Sequence, residues 1–128
     1  MFVLSQSIAL GFTCLRVKYI GNLVMVHGLS SEIKFYEFDG SAYASKFSII
    51  TSNSAIYESV VSDNGNKFMF GGNSQNISTY ALEEDGSYAL AEQLETGIPI
   101  LRLYVDPAKL YFLITTTGTV VDVLFRCP

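Results

Sequence analysis

The residues best suited to chemistry in this 128-residue sequence are one histidine and two isolated charges. His27 is the only histidine. With its ordinary pKa of about 6.5 it could act as a general base or as a polar contact for a ligand. Its place just before Gly28 favours a turn residue that bonds a neighbouring backbone group. Acyl transfer would also need a poised nucleophile, and no G-x-S-x-G pattern occurs. We therefore predict no catalytic residue and expect that the chain is not an enzyme.

Glu58 and Arg102 stand out because each is a single charge inside an apolar stretch. Beyond Arg16, they are the only charges well inside segments that read as the first strand of a repeated unit. If they face each other across neighbouring units, they form either a structural ion pair or one wall of a polar pocket. We therefore name Glu58 and Arg102 as a candidate polar pair lining an inner channel.

The cysteines and His27 are too far apart in sequence to predict a metal centre. Zinc sites need clustered Cys and His, whereas these residues stand at positions 14, 27 and 127. We expect no metal and no cofactor. Two cysteines are also too few for a disulfide framework, so Cys14 and Cys127 are interpreted as buried thiols in a reducing, cytoplasmic setting. A single bridge between them is the alternative.

Composition excludes several classes of partner. The net charge is −4 and the basic residues are scattered, whereas nucleic-acid binding needs clustered Lys and Arg. No apolar run approaches the roughly 20 residues of a membrane span, and we expect no membrane partner. Hydrophobic residues make up 49% and charged residues 16% of the chain, which is the balance of a folded domain.

The elements that must position these residues recur with a period of 44. Gly21-Asn22 and Gly65-Asn66 each precede an apolar run, and IKFYEF at 33–38 is matched by ISTYAL at 77–82. A weaker third copy covers 110–125. Short apolar runs between Gly, Asn and Asp turn signals are typical of strands. Each copy is a small meander that buries its apolar faces only by stacking on its neighbours.

These strands resemble the blades of the WD-repeat family. The segment 61–72 is similar to that family's end of strand a, tight turn and strand b. Tyr36 and Glu37 stand in the positions of its Trp-Asp signature, and Tyr80-Ala81 and Val123-Leu124 follow in the later copies. The chain has no Trp and no Gly-His pair, so the side-chain tetrad that braces many blades of that family is absent.

The fold predicted from this pattern is all-β, with consecutive four-stranded antiparallel meanders that form a partial or oligomer-completed β-propeller. We treat residues 1–128 as one propeller-like segment, with approximate units 8–51, 52–95 and 96–128. Residues 2–7 are interpreted as an extra strand d. Aromatic residues at matched positions are expected to pack between blades: Phe35, Tyr36, Phe68, Phe70, Tyr80 and Phe112.

The function predicted first is a protein–protein interaction scaffold, because blades present variable loops on a rigid frame. One loop rim is small, polar and nearly uncharged, which suits a protein or peptide partner. Its candidate binding residues are His27, Ser30, Asn53, Asn73, Gln75 and Thr116. Self-association that completes a ring is a further expectation, because open end blades expose unpaired edges.

Two alternatives remain beside the scaffold. The chain could be a fragment of a propeller enzyme or of a glycan-binding propeller, with polar residues such as Glu58 near the central axis. It could also be a truncated product with no autonomous function.

Overall fold

The computed structural model describes residues 2–62, 65–106, 111–115 and 121–125. For residues 62, 105, 106, 111–115 and 121–125 it describes the backbone only. The described ranges form eleven β-strands: β1 Cys14–Ile20, β2 Leu23–Gly28, β3 Glu32–Phe38, β4 Tyr43–Ile50, β5 Ile56–Ser62, β6 Lys67–Gly72, β7 Asn76–Leu82, β8 Tyr88–Glu95, β9 Arg102–Asp106, β10 Tyr111–Thr115 and β11 Val121–Phe125. They contain no helix that could span a bilayer.

The strands form three antiparallel meander sheets in chain order. The first sheet has the order β1-β2-β3-β4 and the second β5-β6-β7-β8, while the described part of the third has β11-β10-β9. Adjacent strands pair in sequence throughout, which is the arrangement that the short turns between apolar runs predict. The prediction of consecutive four-stranded meanders is therefore confirmed, and the sheets fall inside the three predicted units.

The first two sheets repeat each other down to their irregularities. β1 carries a register shift between Cys14 and Arg16, and β5 carries one between Ile56 and Glu58. A second shift falls after Phe35 in the first sheet and after Thr79 in the second. Because bulges sit at fixed places within a repeated strand pair, these shifts align the two sheets residue by residue.

An aromatic and aliphatic cluster joins the first and second sheets, and we call this contact the first interface. Phe35 is fully buried and its ring stacks on Phe47 with centroids 4.5 Å apart. Phe68 and Tyr88 of the second sheet lie within 5.8 Å of the same ring. The other buried members are Ile20, Met25, Ile33, Ile56 and Phe70. The predicted packing of Phe35, Phe68 and Phe70 between blades is confirmed, and the side chain of Phe112 lies outside the described residues.

Among the side chains that the structure describes, an aliphatic cluster joins the second and third sheets, and we call this contact the second interface. Its buried members are Ile77, Ile100 and Leu103, with Val60 and Met69 packed against them. Gly71 lies so close to Ile100 that a Cβ at this glycine would stand 2.6 Å from the Ile100 Cβ. The absence of a side chain at position 71 therefore allows close approach of the two sheets.

The turn before β6 needs glycine for two reasons. Gly65 has φ of +91°, a left-handed conformation that L side chains rarely adopt. A Cβ there would also stand 2.5 Å from the backbone nitrogen of Gly21, which occupies the equivalent turn of the first sheet. The repeated Gly-Asn pairs therefore bring equivalent turns of two sheets into backbone contact.

Two expectations about the amino-terminal region are wrong. Residues 2–7, interpreted as a strand, form no strand and are exposed. The Gln6 side chain takes the place of strand pairing, because its amide accepts from the Tyr43 backbone N–H at 2.9 Å and donates to the Tyr43 carbonyl at 2.8 Å. Cys14, expected to be buried, is exposed because it begins β1 at the outer face of the first sheet. Cys127 lies outside the described residues.

Candidate functional site

Three charged residues occupy the same position in the first strands of the three sheets. Arg16 pairs with His27, Glu58 with Gly71 and Arg102 with Thr115 in successive β-ladders. β1 lies against β5 and β5 lies against β9, so these strands stand next to one another. The repeat thus places Arg16, Glu58 and Arg102 in a row, which we call the charged row.

The carboxylate of Glu58 is the most heavily bonded group in this row. Its side chain is 9% exposed, and its Oε1 lies 3.1 Å from Lys18 Nζ and 3.4 Å from Arg16 Nε. The backbone N–H of Ser59 also donates to Oε1, at 3.1 Å. Burial by itself raises the pKa of Glu58, but the Lys18 ammonium, the Ser59 amide and Arg16 together hold that pKa below its ordinary value. Glu58 is therefore an ionised, positioned acceptor.

Arg102 differs from Arg16 in having no such partner among the described residues. The side chain of Arg102 is exposed, and its Nη1 donates to the Leu101 carbonyl at 2.8 Å. Arg16 makes the equivalent bond to the Leu15 carbonyl at 2.9 Å and also binds Glu58. The structure thus does not bring Glu58 and Arg102 together as the sequence suggested, because Glu58 is already bound by Arg16 and Lys18 of the preceding sheet.

His27 lies in the first interface and not on the loop rim where the sequence placed it. It is fully buried, with Nδ1 3.1 Å from the Ile56 carbonyl and Nε2 2.7 Å from Ser59 Oγ. A carbonyl only accepts, so Nδ1 carries the proton and Nε2 accepts from the Ser59 hydroxyl. Burial lowers the pKa of His27 to about 4, so the imidazole is neutral at pH 7.

The order of bonds from Ser59 to His27 is that of a serine nucleophile and its base. Both residues are fully buried between two sheets, however, so no substrate reaches the Ser59 hydroxyl. Geometry and burial together assign the pair a structural role, in which one hydrogen-bonded contact between side chains fixes the first sheet against the second.

The other described residues of the predicted rim lie at one end of the sheets, but the side chains of several of them already form hydrogen bonds within the protein. The carbonyl oxygen of Asn53 accepts from the Ser74 backbone N–H at 2.8 Å, and Asn53 is 2% exposed. Asn73 Oδ1 accepts from the backbone N–H groups of Ser54 and Ala55. These asparagines therefore tie the connection before β5 to the loop after β6.

The other predicted rim residues are a mixed group. Ser30 Oγ accepts from the Glu32 backbone N–H at 3.1 Å, which closes the turn before β3. Gln75 is exposed and has φ of 63°, and its carbonyl accepts from the Thr96 N–H. Thr116 lies outside the described residues. Of this set, Gln75 has the side chain most available to a ligand.

Sequence reasoning missed Lys18 and Ser59, although each follows a residue that it singled out. Lys18 lies two positions after Arg16 on the same strand face, so both cations reach one carboxylate. Ser59 follows Glu58 and therefore points to the opposite face, toward His27. Alternation along β1 and β5 is the signal that would have found both residues.

Metal binding is not suggested by the described residues, in which no three His, Cys, Asp or Glu side chains come together as ligands. The prediction of no metal and no cofactor stays a prediction for the whole chain.

Comparison with solved structures identifies the fold as a propeller type. A Lactobacillus plantarum protein solved by a structural genomics consortium superposes with a TM-score of 0.80 and 16% identity over 95% of this chain and 40% of its own. A Bacteroides fragilis protein, provisionally described as a 6-phosphogluconolactonase, gives 0.79 and 11% over 95% and 37%. The chain spans about two fifths of the length of these solved structures. No protein-family model and no curated protein matches the sequence.

The comparison contradicts the prediction that the chain is a protein–protein interaction scaffold. The Bacteroides fragilis propeller, which superposes on the chain with a TM-score of 0.79, carries an enzyme description. The alternative drawn from the sequence, a piece of a propeller enzyme, is the better supported of the two.

Proposed function

We propose that this chain is part of a propeller enzyme and supplies one wall of a polar site at the charged row. The observation that carries the proposal is the position of Arg16, Glu58 and Arg102 at one level of three adjacent first strands. Side chains at equivalent positions of a repeat converge on the same axis, so residues from several sheets can contact one small ligand.

The charges of the row favour an anionic, hydroxyl-bearing ligand. Arg102 is exposed, and within the described ranges the only hydrogen bond of its side chain is to the Leu101 carbonyl, so its guanidinium can bind a carboxylate or phosphate group in a bidentate manner. Glu58 is held ionised, and its Oε2, which takes none of the three bonds made to Oε1, is the acceptor that it can offer to a hydroxyl group. The description of the Bacteroides fragilis structure supports a phosphorylated sugar acid or its lactone as the ligand class.

Sequence reasoning expects no catalysis by this chain alone, and that expectation stays a prediction. A lactone hydrolase needs a base for water and donors for the developing oxyanion. Glu58 is committed to two cations, and His27 is enclosed. The proposed role of the chain is therefore to bind and orient the ligand, with the remaining catalytic groups on other sheets of the ring.

The WD-repeat resemblance and a cytoplasmic location also stay predictions. The four-stranded meanders and the 44-residue period support the former. The low cysteine content supports the latter.

Binding of 6-phosphogluconate to the 128-residue chain, measured by calorimetry at low salt, tests the proposal. We expect saturable binding that Arg102→Ala weakens by roughly 10-fold or more, the usual cost of losing a charge-assisted contact. Lys46→Ala is the matched control, because Lys46 is an exposed cation that pairs with Glu37 on the outer part of the first sheet. Equal loss in both variants, or no binding by the unmodified chain, contradicts the proposal.

A further inference from the structure

One face of the first sheet has no sheet packed against it among the described residues, and we call it the free face. Val17 and Tyr19 on this face are 62% and 74% exposed. Together with residues 8 and 10 of the amino-terminal segment, the face borders a cleft of about 350 Å³. The free face is formed by Val17, Tyr19, Val24, Val26, Tyr36 and Tyr43.

The free face occupies the same register positions as a face that is buried elsewhere in the molecule. Val24 and Tyr36 are paired in β2 and β3, as Phe68 and Tyr80 are paired in β6 and β7. By the same ladders Val17, Tyr19, Val26 and Tyr43 correspond to Ser59, Val61, Phe70 and Tyr88. In the second sheet these positions pack on the first sheet and make up half of the first interface. The free face of the first sheet therefore corresponds, position by position, to the face of the second sheet that packs against a neighbouring sheet.

The third sheet has apolar residues at the register positions that would form the other half of such an interface. The first interface uses Met25, Ile33 and Phe35 from the first sheet. The corresponding positions of β10 and β11, read through their pairing, are Leu113, Val121 and Val123, all apolar. The same sequence thus contains both halves of a sheet-to-sheet contact of the type that already joins its first two sheets.

We propose that the free face binds the third sheet of a second copy of this chain. Such a contact continues the stacking that joins the sheets within one copy, and it is heterologous, so successive copies form a closed ring or an open filament according to the rotation between them. It removes from water the side chains of Val17 and Tyr19, which are the exposed hydrophobic residues of a face on which Val26 and Tyr36 are already buried. This inference does not rest on the proposed ligand site, because Val17 and Tyr19 alternate with Arg16 and Lys18 along β1 and so point to the other face of the strand.

The amino-terminal segment competes for part of this face. Gln6 bonds both backbone groups of Tyr43, and Lys34 Nζ donates to the Leu10 carbonyl at 2.7 Å. Ile8 and Leu10 then line the cleft. A sheet that covers the whole free face must displace this segment, so weakening its attachment with Gln6→Ala should strengthen self-association.

Sedimentation velocity over a concentration series tests the proposal directly. We expect the unmodified chain, of 14.1 kDa, to form a species of twice that mass or larger. Tyr19→Asp should weaken this association at least roughly tenfold, because it places a charge in the centre of the contact. Leu90→Asp is the matched control, since Leu90 is 53% exposed on the outermost strand of the second sheet. A monomer at every concentration, or equal sensitivity to both substitutions, overturns the proposal.

Alkylation of Cys14 gives a second readout that does not depend on variant stability. Cys14 is exposed and lines the cleft at the free face. In a Cys127→Ser background, the rate of maleimide reaction at Cys14 should fall several-fold as the protein concentration rises through the association range. A rate that is independent of concentration, while larger species form, means that the contact lies elsewhere and overturns the proposal.

Discussion

The two interfaces between neighbouring sheets are built on the same positions but with different chemistry. At the first interface, His27 and Ser59 form a buried hydrogen bond beside a cluster of aromatic rings. At the second interface the corresponding positions are Gly71 and Leu103, and the buried side chains that the structure describes there are aliphatic. The repeat therefore sets which positions of two neighbouring sheets are in contact. The residue types at a few of those positions determine which interactions stabilise the contact.

The difference extends to the charged row. Glu58 is bound from the side of the first sheet by Arg16 and Lys18, and it has no bond to Arg102 of the third sheet. The first interface thus combines aromatic packing, a neutral imidazole and an ion pair, whereas the described part of the second consists of a close apolar approach. The substitutions below separate these contributions.

The largest effect is expected at Phe35, whose ring lies against three other rings of the first interface. Phe35→Ala should lower the free energy of unfolding by about 3–5 kcal/mol, because it opens a cavity among Phe47, Phe68 and Tyr88. Thr79 occupies the same register position in the second sheet and is half-buried, so Thr79→Ala should cost less than about 1 kcal/mol. Urea denaturation of both variants measures the difference. Equal losses would mean that the two interfaces contribute alike.

The buried imidazole should make the first interface sensitive to acid. The folded protein keeps His27 neutral down to about pH 4, whereas the unfolded chain takes up a proton below its ordinary pKa of 6.5. Stability therefore falls as the pH drops through 6.5, by about 2 kcal/mol between pH 7.5 and pH 5. Urea denaturation across this range should show the loss, and His27→Gln should largely remove it.

This pH range also separates His27 from Glu58. The pKa of Glu58 is lowered, so the stability that its carboxylate contributes is lost only as the pH falls below about 4.5. A pH dependence above pH 5 that persists unchanged in His27→Gln would contradict the assignment of that loss to the imidazole.

The close approach at the second interface should not tolerate a methyl group. Gly71→Ala places a Cβ 2.6 Å from the Ile100 Cβ, so the sheets must separate slightly, at a cost of about 1–2 kcal/mol. A double-mutant cycle with Ile100→Ala checks the cause, because removal of the Ile100 side chain should cost less in the Gly71→Ala background. Additive losses would show that the two positions do not press on each other.

The strands and the aromatic core could be predicted because both depend on local pattern. Apolar runs beside Gly-Asn turn signals located β6 and β7 in the segments 61–72 and 77–82 to within a residue, since alternation and turn chemistry depend on consecutive positions. The matched spacing of Phe35 and Phe68 likewise indicated packing between repeats. Repetition alone was enough to infer that the sheets stack.

The partners across sheets could not be predicted, because they depend on which face each residue takes. The two sheets next to Glu58 each have an arginine at the equivalent position, Arg16 and Arg102. Only the presence of Lys18 near Arg16 favours the preceding sheet as the ion-pair partner of Glu58. The position of His27 in sequence, next to a glycine turn, gave no sign of burial under Ser59. Residues 2–7 are apolar enough for a strand, but a side-chain amide rather than the backbone satisfies Tyr43.

The smallest expected effect separates the two arginines of the charged row. Arg16→Ala removes one of two cations from the buried Glu58 carboxylate, and it should cost up to about 1 kcal/mol because Lys18 remains in place. Arg102→Ala removes an exposed side chain whose described bond is to the preceding carbonyl, so the free energy of unfolding should stay within about 0.5 kcal/mol. Urea denaturation in low and high salt measures both, and salt should reduce the Arg16 effect only, since that effect is electrostatic. A stability loss from Arg102→Ala as large as that from Arg16→Ala would mean that the second interface also contains an ion pair, and Arg102 would then not be free to bind a ligand.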